Sequence, residues 1–298
     1  MASALSGHFF RPQPPIPATD KDDPPNLPQR SFAPITESEI GVALADTSNS
    51  SAPGPTGHGY KLVKWAWEAA PIWFVVLFNS CLLAGHHPRA WKSASIAVVP
   101  KPNKTDYSMP KSYWPVALLE CLSKLLEKVM AKRILHEIGE HSLVPTGQFG
   151  ARPHSSTIHA GLALTHDIAG IHAQGGCCAS LQFDVQGFFN SINHTRLIQT
   201  FCRLGFAKAV CEWLSSFLKD RMVQLRFNGF LSDPIDISVG APQGSPLSPV
   251  LSIIYTGNLL CKAESWCDSK LFMYIDDGNI LASGPSYGVE AATIANRY

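Results

Sequence analysis

The clearest alternation of apolar and polar positions lies late in the chain, in Lys270–Ala282 (KLFMYIDDGNILA). An alternating apolar run stops there at two adjacent carboxylates and a glycine, and a second apolar run follows. This pattern predicts a β-hairpin with Asp276 and Asp277 at its turn. Because side chains alternate across a strand, Asp276 should share one face with Phe272 and Tyr274.

A second alternating segment lies upstream in Ala179–Asp184 (ASLQFD), so Asp184 also ends a predicted strand. If the two strands are neighbours, three carboxylates converge. Each pair of unit charges repels by about 1 kcal/mol at 4 Å in water and by about 4 kcal/mol at an effective dielectric of 20. Such a cluster favours Mg²⁺ or Mn²⁺, because carboxylates and water suit hard ions. Taken alone, Asp-Asp-Gly also fits a solvated turn.

Helical spacing and turn residues divide the rest of the chain. Ser95–Val99 is a predicted strand, and Asn228–Gly229 between two apolar runs predicts a second hairpin. In the predicted helix Pro115–Glu140, an apolar stripe should face the core while Lys124 and Glu127 stay on the solvated face. The predicted helices cover Thr36–Thr47, Tyr60–Leu83, Pro115–Glu140, residues 156–173, His194–Leu204, Ala207–Asp220 and residues 246–265.

The first part of the chain has a different composition. Residues 12–34 contain eight prolines and few aliphatic side chains, so they bury too little apolar surface to offset the entropy of ordering the backbone. We therefore expect residues 1–35 to form a disordered Pro-rich leader. The remaining residues, 36–298, are long enough for a hydrophobic core and for two subdomains.

Charge, cysteine content and hydropathy narrow the class of protein. A formal net charge of +1 excludes a uniformly basic surface, so any phosphate binding must be local. The eight cysteines include no CxxC pair, which argues against a disulfide framework or a zinc site and favours a reducing, intracellular location. The longest apolar stretch, Ala69–Ala84, is too short to span a bilayer, and residues 1–15 lack the apolar core of a signal peptide.

A third stretch, Gly240–Leu251 (GAPQGSPLSPVL), lies between the two acidic ones and precedes an apolar helical run. Taken in order, the three stretches resemble the polymerase motifs of reverse transcriptases, which carry F-x-D-D or Y-x-D-D in third place. The detail is most similar to the non-LTR (LINE-type) retrotransposon enzymes. Further matching motifs, within residues 36–298, are SAPGPTG at 51–57, VVPKPNK at 98–104, SYWPVALLECLSKLLEKVMAKR at 112–133 and QFGARPHSST at 148–157.

The resemblance implies an α+β fold, the polymerase right hand, with fingers and an antiparallel palm sheet packed on helices. Because few residues follow Asp277, we expect the thumb to be missing and residues 36–298 to form a C-terminally truncated reverse transcriptase domain. The implied function is that of an RNA-directed DNA polymerase, a nucleotidyltransferase that uses an RNA template, a DNA primer and dNTPs. The implied location is intracellular, in the nucleus or the cytoplasm, with no membrane partner, and the oligomeric state stays open.

The acidic residues match the positions of the family's metal ligands. By resemblance, Asp184 and Asp276 would bind metal directly, Asp277 would assist or orient, and the Val185 carbonyl would complete the shell. Two Mg²⁺ ions about 3.5–4 Å apart, or Mn²⁺ in their place, suit in-line phosphoryl transfer. One ion lowers the pKa of the attacking primer 3′-OH, and the other stabilises the leaving pyrophosphate.

By the same resemblance, four residues would bind the incoming nucleotide. Lys101 is the candidate triphosphate contact, with a solvated hairpin tip as the alternative. Phe189 would lie beneath the sugar and exclude a ribose 2′-OH, with packing in the palm as the alternative. Gln243 and Gly244 would line the sugar and base, where glycine permits close backbone approach.

Arg152 and Tyr274 are the candidate nucleic-acid contacts, although Arg152 could equally staple its loop to the following helix. The chain departs from the family's pattern at three sites, which involve four residues. Trp114 stands where an Arg is expected to bind triphosphate, Asn190 stands where Asp is common, and His154–Ser155 stands where Gly-Arg is common. The indole of Trp114 could instead pack against the helix that follows it.

These departures leave a second hypothesis, a catalytically inactive remnant that keeps only nucleic-acid or protein binding. A third, an RNA-templated RNA polymerase of the same palm fold, is disfavoured by Phe189 and by the family match. Metal-dependent primer extension separates the first hypothesis from the second.

Overall fold

A computed structural model describes residues 2–10, 26–286 and 288 of the chain. The helices are α1 Ala2–Phe9, α2 Glu37–Ala45, α3 Tyr60–Ala69, α4 Pro71–Leu83, α5 Cys121–Glu140, α6 Thr157–Ala173, α7 Phe188–Ser191, α8 His194–Arg203, α9 Lys208–Leu218 and α10 Ser248–Glu264. The strands are β1 Ser93–Pro100, β2 Tyr113–Leu118, β3 Cys177–Asp184, β4 Arg221–Phe227, β5 Phe230–Leu231, β6 Ile235–Ile237, β7 Ser269–Tyr274 and β8 Asp277–Gly284.

The described residues form two compact units. The first unit contains residues 2–10, 26–133 and 189–248, and the second unit contains residues 134–188, 249–286 and 288. Both units combine helices with a sheet, and each sheet is mainly or wholly antiparallel. The predicted α+β class is therefore confirmed.

The first unit is built on a five-stranded sheet in the order β2-β1-β4-β5, with β6 also paired to β4. Strands β1 and β2 form an antiparallel hairpin, and β1 runs parallel to β4. One face of this sheet is buried, and along β1, β2 and β4 buried residues alternate with more exposed ones. The buried face contains Ala94, Ile96, Ala117, Val223 and Leu225.

The second unit contains a three-stranded antiparallel sheet in the order β3-β8-β7. Its central strand buries Ile280, Leu281 and Ala282 almost completely. Helix α6 packs against β3 and β7, and the Lys270 ammonium lies 2.9 Å from the Asp167 carboxylate across this contact. The two predicted acidic strands therefore belong to one small sheet.

Several local sequence signals are confirmed. Thr36 caps α2 with a complete capping box, because Thr36 and Glu39 each bond the other's backbone N–H with a side-chain oxygen. Ser156 caps α6 by accepting the His159 N–H. The turn between β4 and β5 is Asn228–Gly229, with φ values of 47° and 79°, as a type I′ hairpin requires.

Two predicted helices differ from the structure. The predicted helix Tyr60–Leu83 is two helices, α3 and α4, which meet at 108°. Pro71 explains the break, because it has no N–H to bond the preceding turn and its ring restricts Ala70. Residues 115–118 belong to β2 instead of a helix, since they pair with β1.

Within the described ranges, no single helix is long and apolar enough to cross a membrane. The bent pair α3–α4 is the one candidate in the described part of the chain, and it reaches the required length and composition only when both helices are counted together.

The structure also differs from the predicted disordered leader, residues 1–35, wherever it describes that region. Helix α1 buries Leu5 and Phe9 in the first unit, and Ile35 is buried at 1% exposure. The prediction fails there because it weighed proline content and overlooked these apolar anchors. Residues 11–25, which hold most of the prolines, lie outside the described residues.

Candidate active site

The two acidic strands are neighbours in the sheet of the second unit. The register of β3 and β8 pairs Asp184 with Asp277, and the register of β7 and β8 pairs Tyr274 with Asp277. Register partners on antiparallel strands have Cα atoms about 4.5–5.5 Å apart and side chains on one face. Asp184, Asp277 and Tyr274 therefore lie side by side at the end of this sheet, which confirms the predicted pairing of the strands.

The turn of the acidic hairpin is shifted by one residue from its predicted position. Ile275 and Asp276 form the two-residue loop, and Asp277 is the first residue of β8. Gly278 lies within the strand, and a Cβ atom there would be 2.1 Å from Cζ of the Phe183 ring. The glycine makes room for an aromatic ring on the neighbouring strand, so its presence in Asp-Asp-Gly was a misleading turn signal.

The carboxyl group of Asp276 is influenced by the other two acidic residues. Burial raises its pKa above the ordinary value, and the charges of Asp277 and Asp184 raise the pKa further, against a bond from its own backbone N–H that lowers it. The Asp276 carbonyl also accepts the Val185 N–H at 3.4 Å. Carboxylates that oppose one another's ionisation favour a cation nearby.

The described residues include no group of three His, Cys, Asp or Glu side chains that could hold a metal ion. The expected convergence of three carboxylates on one point is therefore not found there. The structure instead provides a cross-strand pair, Asp184 and Asp277, with Asp276 in the adjacent turn and Val185 directly after β3. Mg²⁺ commonly takes one or two carboxylates and completes its shell with water and substrate phosphate, so these residues fit a divalent ion shared with a substrate.

A cavity of about 440 Å³ lies beside this carboxylate pair. It is lined by Asp184, Asp277 and Tyr274 from the sheet and by Ala160 and Gly161 from α6. Both carboxylates are exposed, so a ligand in the cavity can reach them. Tyr274 lines this cavity, and its contact with nucleic acid stays a prediction.

Lys101, the candidate triphosphate contact, directly follows β1 in the hairpin of the first unit. Its N–H donates to the Ser112 carbonyl at 2.8 Å, and its ammonium lies 6.0 Å from the centroid of the Trp114 ring. Trp114 is 46% exposed and pairs with Val99. The indole is therefore presented beside Lys101, which argues against the alternative that it packs on α5.

The turn that contains Gln243 and Gly244 is held by β2. The Ala117 N–H donates to the Gln243 carbonyl at 2.6 Å. Gly244 has a φ of 123°, and a Cβ atom there would lie 2.4 Å from the Ala117 carbonyl oxygen, so this position requires glycine. Close backbone approach is thus present, with a strand of the protein as the partner, and nucleotide contact by Gln243 and Gly244 stays a prediction.

Phe188 and Phe189 are adjacent in α7 but have different surroundings. The Phe188 ring is buried, with its centroid 6.2 Å from that of Tyr255, so Phe188 is a core residue. Phe189 is half-buried, and its carbonyl accepts the Ala241 N–H at 2.7 Å. Phe189 stays the candidate sugar gate. Asn190 lines a separate cavity of about 280 Å³ in the first unit.

Arg152, the other predicted nucleic-acid contact, bonds within its own loop. Its Nη1 donates to the Pro145 carbonyl at 3.0 Å and to the Gln148 carbonyl at 3.4 Å. These bonds hold the loop together, and they connect Arg152 to residues before it and not to the following helix α6. Template contact by Arg152 stays a prediction.

In the first unit, Glu127 is fully buried, so its predicted position on the solvated face of its helix was wrong. Its carboxylate accepts hydrogen bonds from the hydroxyls of Ser123 and Ser245. Burial lowers the pKa of Arg221, and the negative charge of Glu127 opposes that effect. Glu127 thus ties α5 to the residue after Gly244. Ser123, four residues earlier on the same helix face, was the available signal.

Comparison with known proteins gives the family. The profile described as reverse transcriptase (RNA-dependent DNA polymerase) matches residues 99–297, which is more than half of the chain. The matched range includes the acidic strands, the turn at Gln243–Gly244 and the hairpin residue Lys101.

Individual relatives agree with this match. The chain is 32% identical over 254 residues to a probable RNA-directed DNA polymerase from transposon BS of Drosophila melanogaster, covering 84% of this chain and 28% of that protein. It is 28% identical over 225 residues to the RNA-directed DNA polymerase from mobile element jockey of the same species, covering 76% and 24%. It is 27% identical over 236 residues to a retrovirus-related Pol polyprotein from type-1 retrotransposable element R2 of Popillia japonica, covering 79% and 32%.

The chain spans 24–32% of the length of these three relatives. The resemblance inferred from the ordered motifs is confirmed by the family match and by these relatives. The chain belongs to the reverse transcriptase (RNA-dependent DNA polymerase) family and groups with the enzymes of non-LTR retrotransposons.

Proposed function

We propose that this chain carries the polymerase centre of a non-LTR retrotransposon reverse transcriptase, which joins a dNTP to a primer 3′-OH opposite an RNA template. The observation that carries the proposal is the register that sets Asp184 beside Asp277 at the edge of an exposed cavity. Because the chain spans only part of the length of its relatives, the template, the primer and the nucleotide all belong to the proposal.

In the second unit, the protein contributes placement and charge. Asp184 and Asp277, with Asp276 and the Val185 carbonyl beside them, would hold two Mg²⁺ or Mn²⁺ ions. Bound there, the ions would activate the primer hydroxyl and neutralise charge on the leaving pyrophosphate. The backbone register of β3 and β8 fixes the separation of the carboxylates in advance, so little reorganisation is needed when substrate binds.

In the first unit, we assign Lys101 to the triphosphate, because a lysine ammonium is a compact charge suited to phosphate. Phe189 would exclude a ribose 2′-OH by steric contact and so make the product DNA. Gln243 and Gly244 would contact the sugar and base. Trp114 lies beside Lys101, but its neutral indole adds no second positive charge for binding phosphate.

Primer extension on an RNA template by the full chain with Mg²⁺ tests this proposal. The wild type should add dNTPs to a DNA primer, and Asp184→Asn or Asp277→Asn should lower the rate by about 100-fold or more. Asp233→Asn changes an exposed carboxylate in a loop of the first unit and should keep the wild-type rate. Absence of extension by the wild type, with RNA binding retained, would contradict the proposal and favour the inactive remnant.

A further inference from the structure

A loop in the second unit lies directly against the acidic hairpin. Met273 of β7 donates its N–H to the Gly147 carbonyl, and its own carbonyl accepts the Phe149 N–H, both at 2.8 Å. Gln148, between these two residues, forms a parallel β-bridge with Met273. The loop is therefore attached to the hairpin through the backbone on both sides of Gln148.

The side chain of Gln148 reaches the turn that precedes the carboxylates. It is 1% exposed, and its Oε1 accepts the N–H groups of Gly150 at 3.0 Å and Ile275 at 3.2 Å. Its Nε2 donates to the Thr256 hydroxyl of α10 at 3.2 Å. Both ends of the amide are satisfied, which fixes its orientation. A Cβ atom at Gly150 would lie 2.5 Å from the Ile275 nitrogen, so this contact also requires a glycine.

Ile275, which Gln148 contacts, has a strained backbone. Its φ is 62°, a value that a β-branched residue rarely adopts. Such a conformation persists only where the surrounding structure over-determines it. Because Ile275 directly precedes Asp276, its dihedral angles set the direction in which the chain enters Asp276 and Asp277.

We propose that Gln148 is a positioning residue of the metal centre. Its side-chain oxygen holds Ile275 in the left-handed conformation and so fixes the carboxylates of Asp276 and Asp277 for a divalent ion. The role rests on the proposed function, which assigns the hairpin to metal binding. Residues that orient metal ligands commonly change metal affinity by about 10–100-fold when they are mutated.

The test compares Gln148→Met with the wild type in the full chain. Methionine has a similar length but cannot accept the Ile275 N–H or donate to Thr256. In the metal-free protein, amide hydrogen exchange in the segment 272–277 should be about tenfold faster, and Mn²⁺ affinity should fall by about tenfold or more. Gln199→Met, at an exposed helical position, is the matched control and should change neither quantity.

A double-mutant comparison separates a positioning role of Gln148 from a general effect on the stability of the fold. Ile275→Gly removes the strain, because glycine adopts a positive φ without steric cost. In this background, Gln148→Met should lower the Mn²⁺ affinity by less than about threefold, since coupled residues give non-additive effects. An equal loss in both backgrounds, or unchanged exchange in Gln148→Met, would overturn the role.

Two further outcomes are also decisive. If Gln148→Met does not fold, Thr256→Val removes the partner of the amide nitrogen, together with that hydroxyl's bonds to the Ser252 and Ile253 carbonyls, and leaves both contacts of Oε1 in place. Exchange of the turn should still rise above the wild-type rate. An unchanged rate in Thr256→Val would then overturn the role. A wild type that binds no Mn²⁺ would contradict the proposed function, while the exchange measurement would still decide whether Gln148 holds the turn.

Discussion

The proposed function uses two turns, one in each unit, and each is held by a buried polar side chain. One of these side chains is neutral and the other is charged. In the second unit, the turn Ile275–Asp276 is held by the neutral buried amide of Gln148. In the first unit, the turn Gln243–Gly244 continues into Ser245, whose hydroxyl donates to the buried carboxylate of Glu127. An amide satisfies its donors and its acceptor without a counter-charge, whereas a buried carboxylate depends on compensating charge. The anchor in the first unit should therefore be the more sensitive to mutation.

The residues around Glu127 include a second buried charged group. Arg221 is buried, and among the described residues its Nη2 has no hydrogen-bond partner. His87 is also fully buried, with its Nε2 3.2 Å from the Ser123 hydroxyl. Burial lowers the pKa of His87 to about 2, so its ring is neutral at neutral pH. The opposite charges of Glu127 and Arg221 attract each other, since Glu127 raises the pKa of Arg221 against the larger effect of burial.

The largest expected effect comes from Glu127→Ala. The change removes the acceptor for two buried serine hydroxyls and a negative charge that attracts buried Arg221, so it should lower the free energy of unfolding by about 3–5 kcal/mol. Gln148→Met should lower it by only about 1–3 kcal/mol, because the buried N–H groups lose a neutral partner. Urea unfolding of the metal-free chain measures both values, and equal losses would break the comparison.

Replacing a glycine should also destabilise the first unit more, at Gly244, than the second unit, at Gly278. At Gly244 the obstacle is the Ala117 carbonyl and φ is positive, whereas at Gly278 the obstacle is the Phe183 ring, which can move. Gly244→Ala should therefore lower the free energy of unfolding by about 3 kcal/mol and Gly278→Ala by about 1 kcal/mol.

Gly170→Ala is the control for this pair. Gly170 lies inside α6, and within the described part of the chain an added Cβ atom there would meet nothing within 4 Å beyond the helix's own backbone. The substitution should raise the free energy of unfolding by about 0.5–1 kcal/mol. Thermal unfolding ranks the three variants, and a larger loss at Gly278 than at Gly244 would show that the Phe183 ring cannot adjust.

A smaller effect, on function and not on stability, is expected from Trp114→Arg. A charge-assisted hydrogen bond to phosphate contributes about 1.5–3 kcal/mol, so the KM for dNTP should fall about tenfold. Stability should hardly change, because Trp114 is 46% exposed. Trp73→Arg, at a 68% exposed position on α4, is the control. Steady-state primer extension with an unchanged KM would mean that Lys101 alone serves the phosphates.

The smallest effect is expected from Asp276→Asn and should depend on pH. The pKa of Asp276 is raised above its ordinary value of 3.8 in the folded chain. The folded state therefore favours the protonated carboxyl, and the stability that this provides is fully present below pH 3.8. It is lost as the pH rises through the folded-state pKa. In the metal-free chain, Asp276→Asn should therefore raise stability at neutral pH and leave it unchanged below about pH 3.8. Thermal unfolding across this range checks the sign, and a variant less stable than the wild type at neutral pH would reverse it.

The acidic site was largely predictable from the sequence, because its signals are local. Strand alternation ending at Asp184 and at the Asp276–Asp277 pair, in the order of the polymerase motifs, predicts the pairing that the structure shows. The predicted position of the turn was wrong by one residue, because Gly278 packs against Phe183 on a different strand and is not a turn residue. No local pattern contains that contact.

The two interior anchors were not predictable in the same way. Glu127 lies among lysines on a helix, and Gln148 lies in a loop, so both match the pattern of solvated residues. Their burial follows from partners far along the chain, Ser245 for Glu127 and Ile275 for Gln148. For Glu127 a local signal exists in Ser123, one turn earlier on the same helix face, but local periodicity carries no information about the distant partners Ser245 and Ile275.

The central claim is that the end of the β3–β8 pair is a divalent metal site. Fe²⁺ bound in place of Mg²⁺, with ascorbate and peroxide, cleaves the backbone near the metal, and mass spectrometry locates the cuts. We predict cleavage both near Asp184 and near Asp277, suppressed by added Mg²⁺ and lost in Asp184→Asn. Cleavage at only one of the two segments, or cleavage unaffected by Mg²⁺ and by Asp184→Asn, would contradict the account.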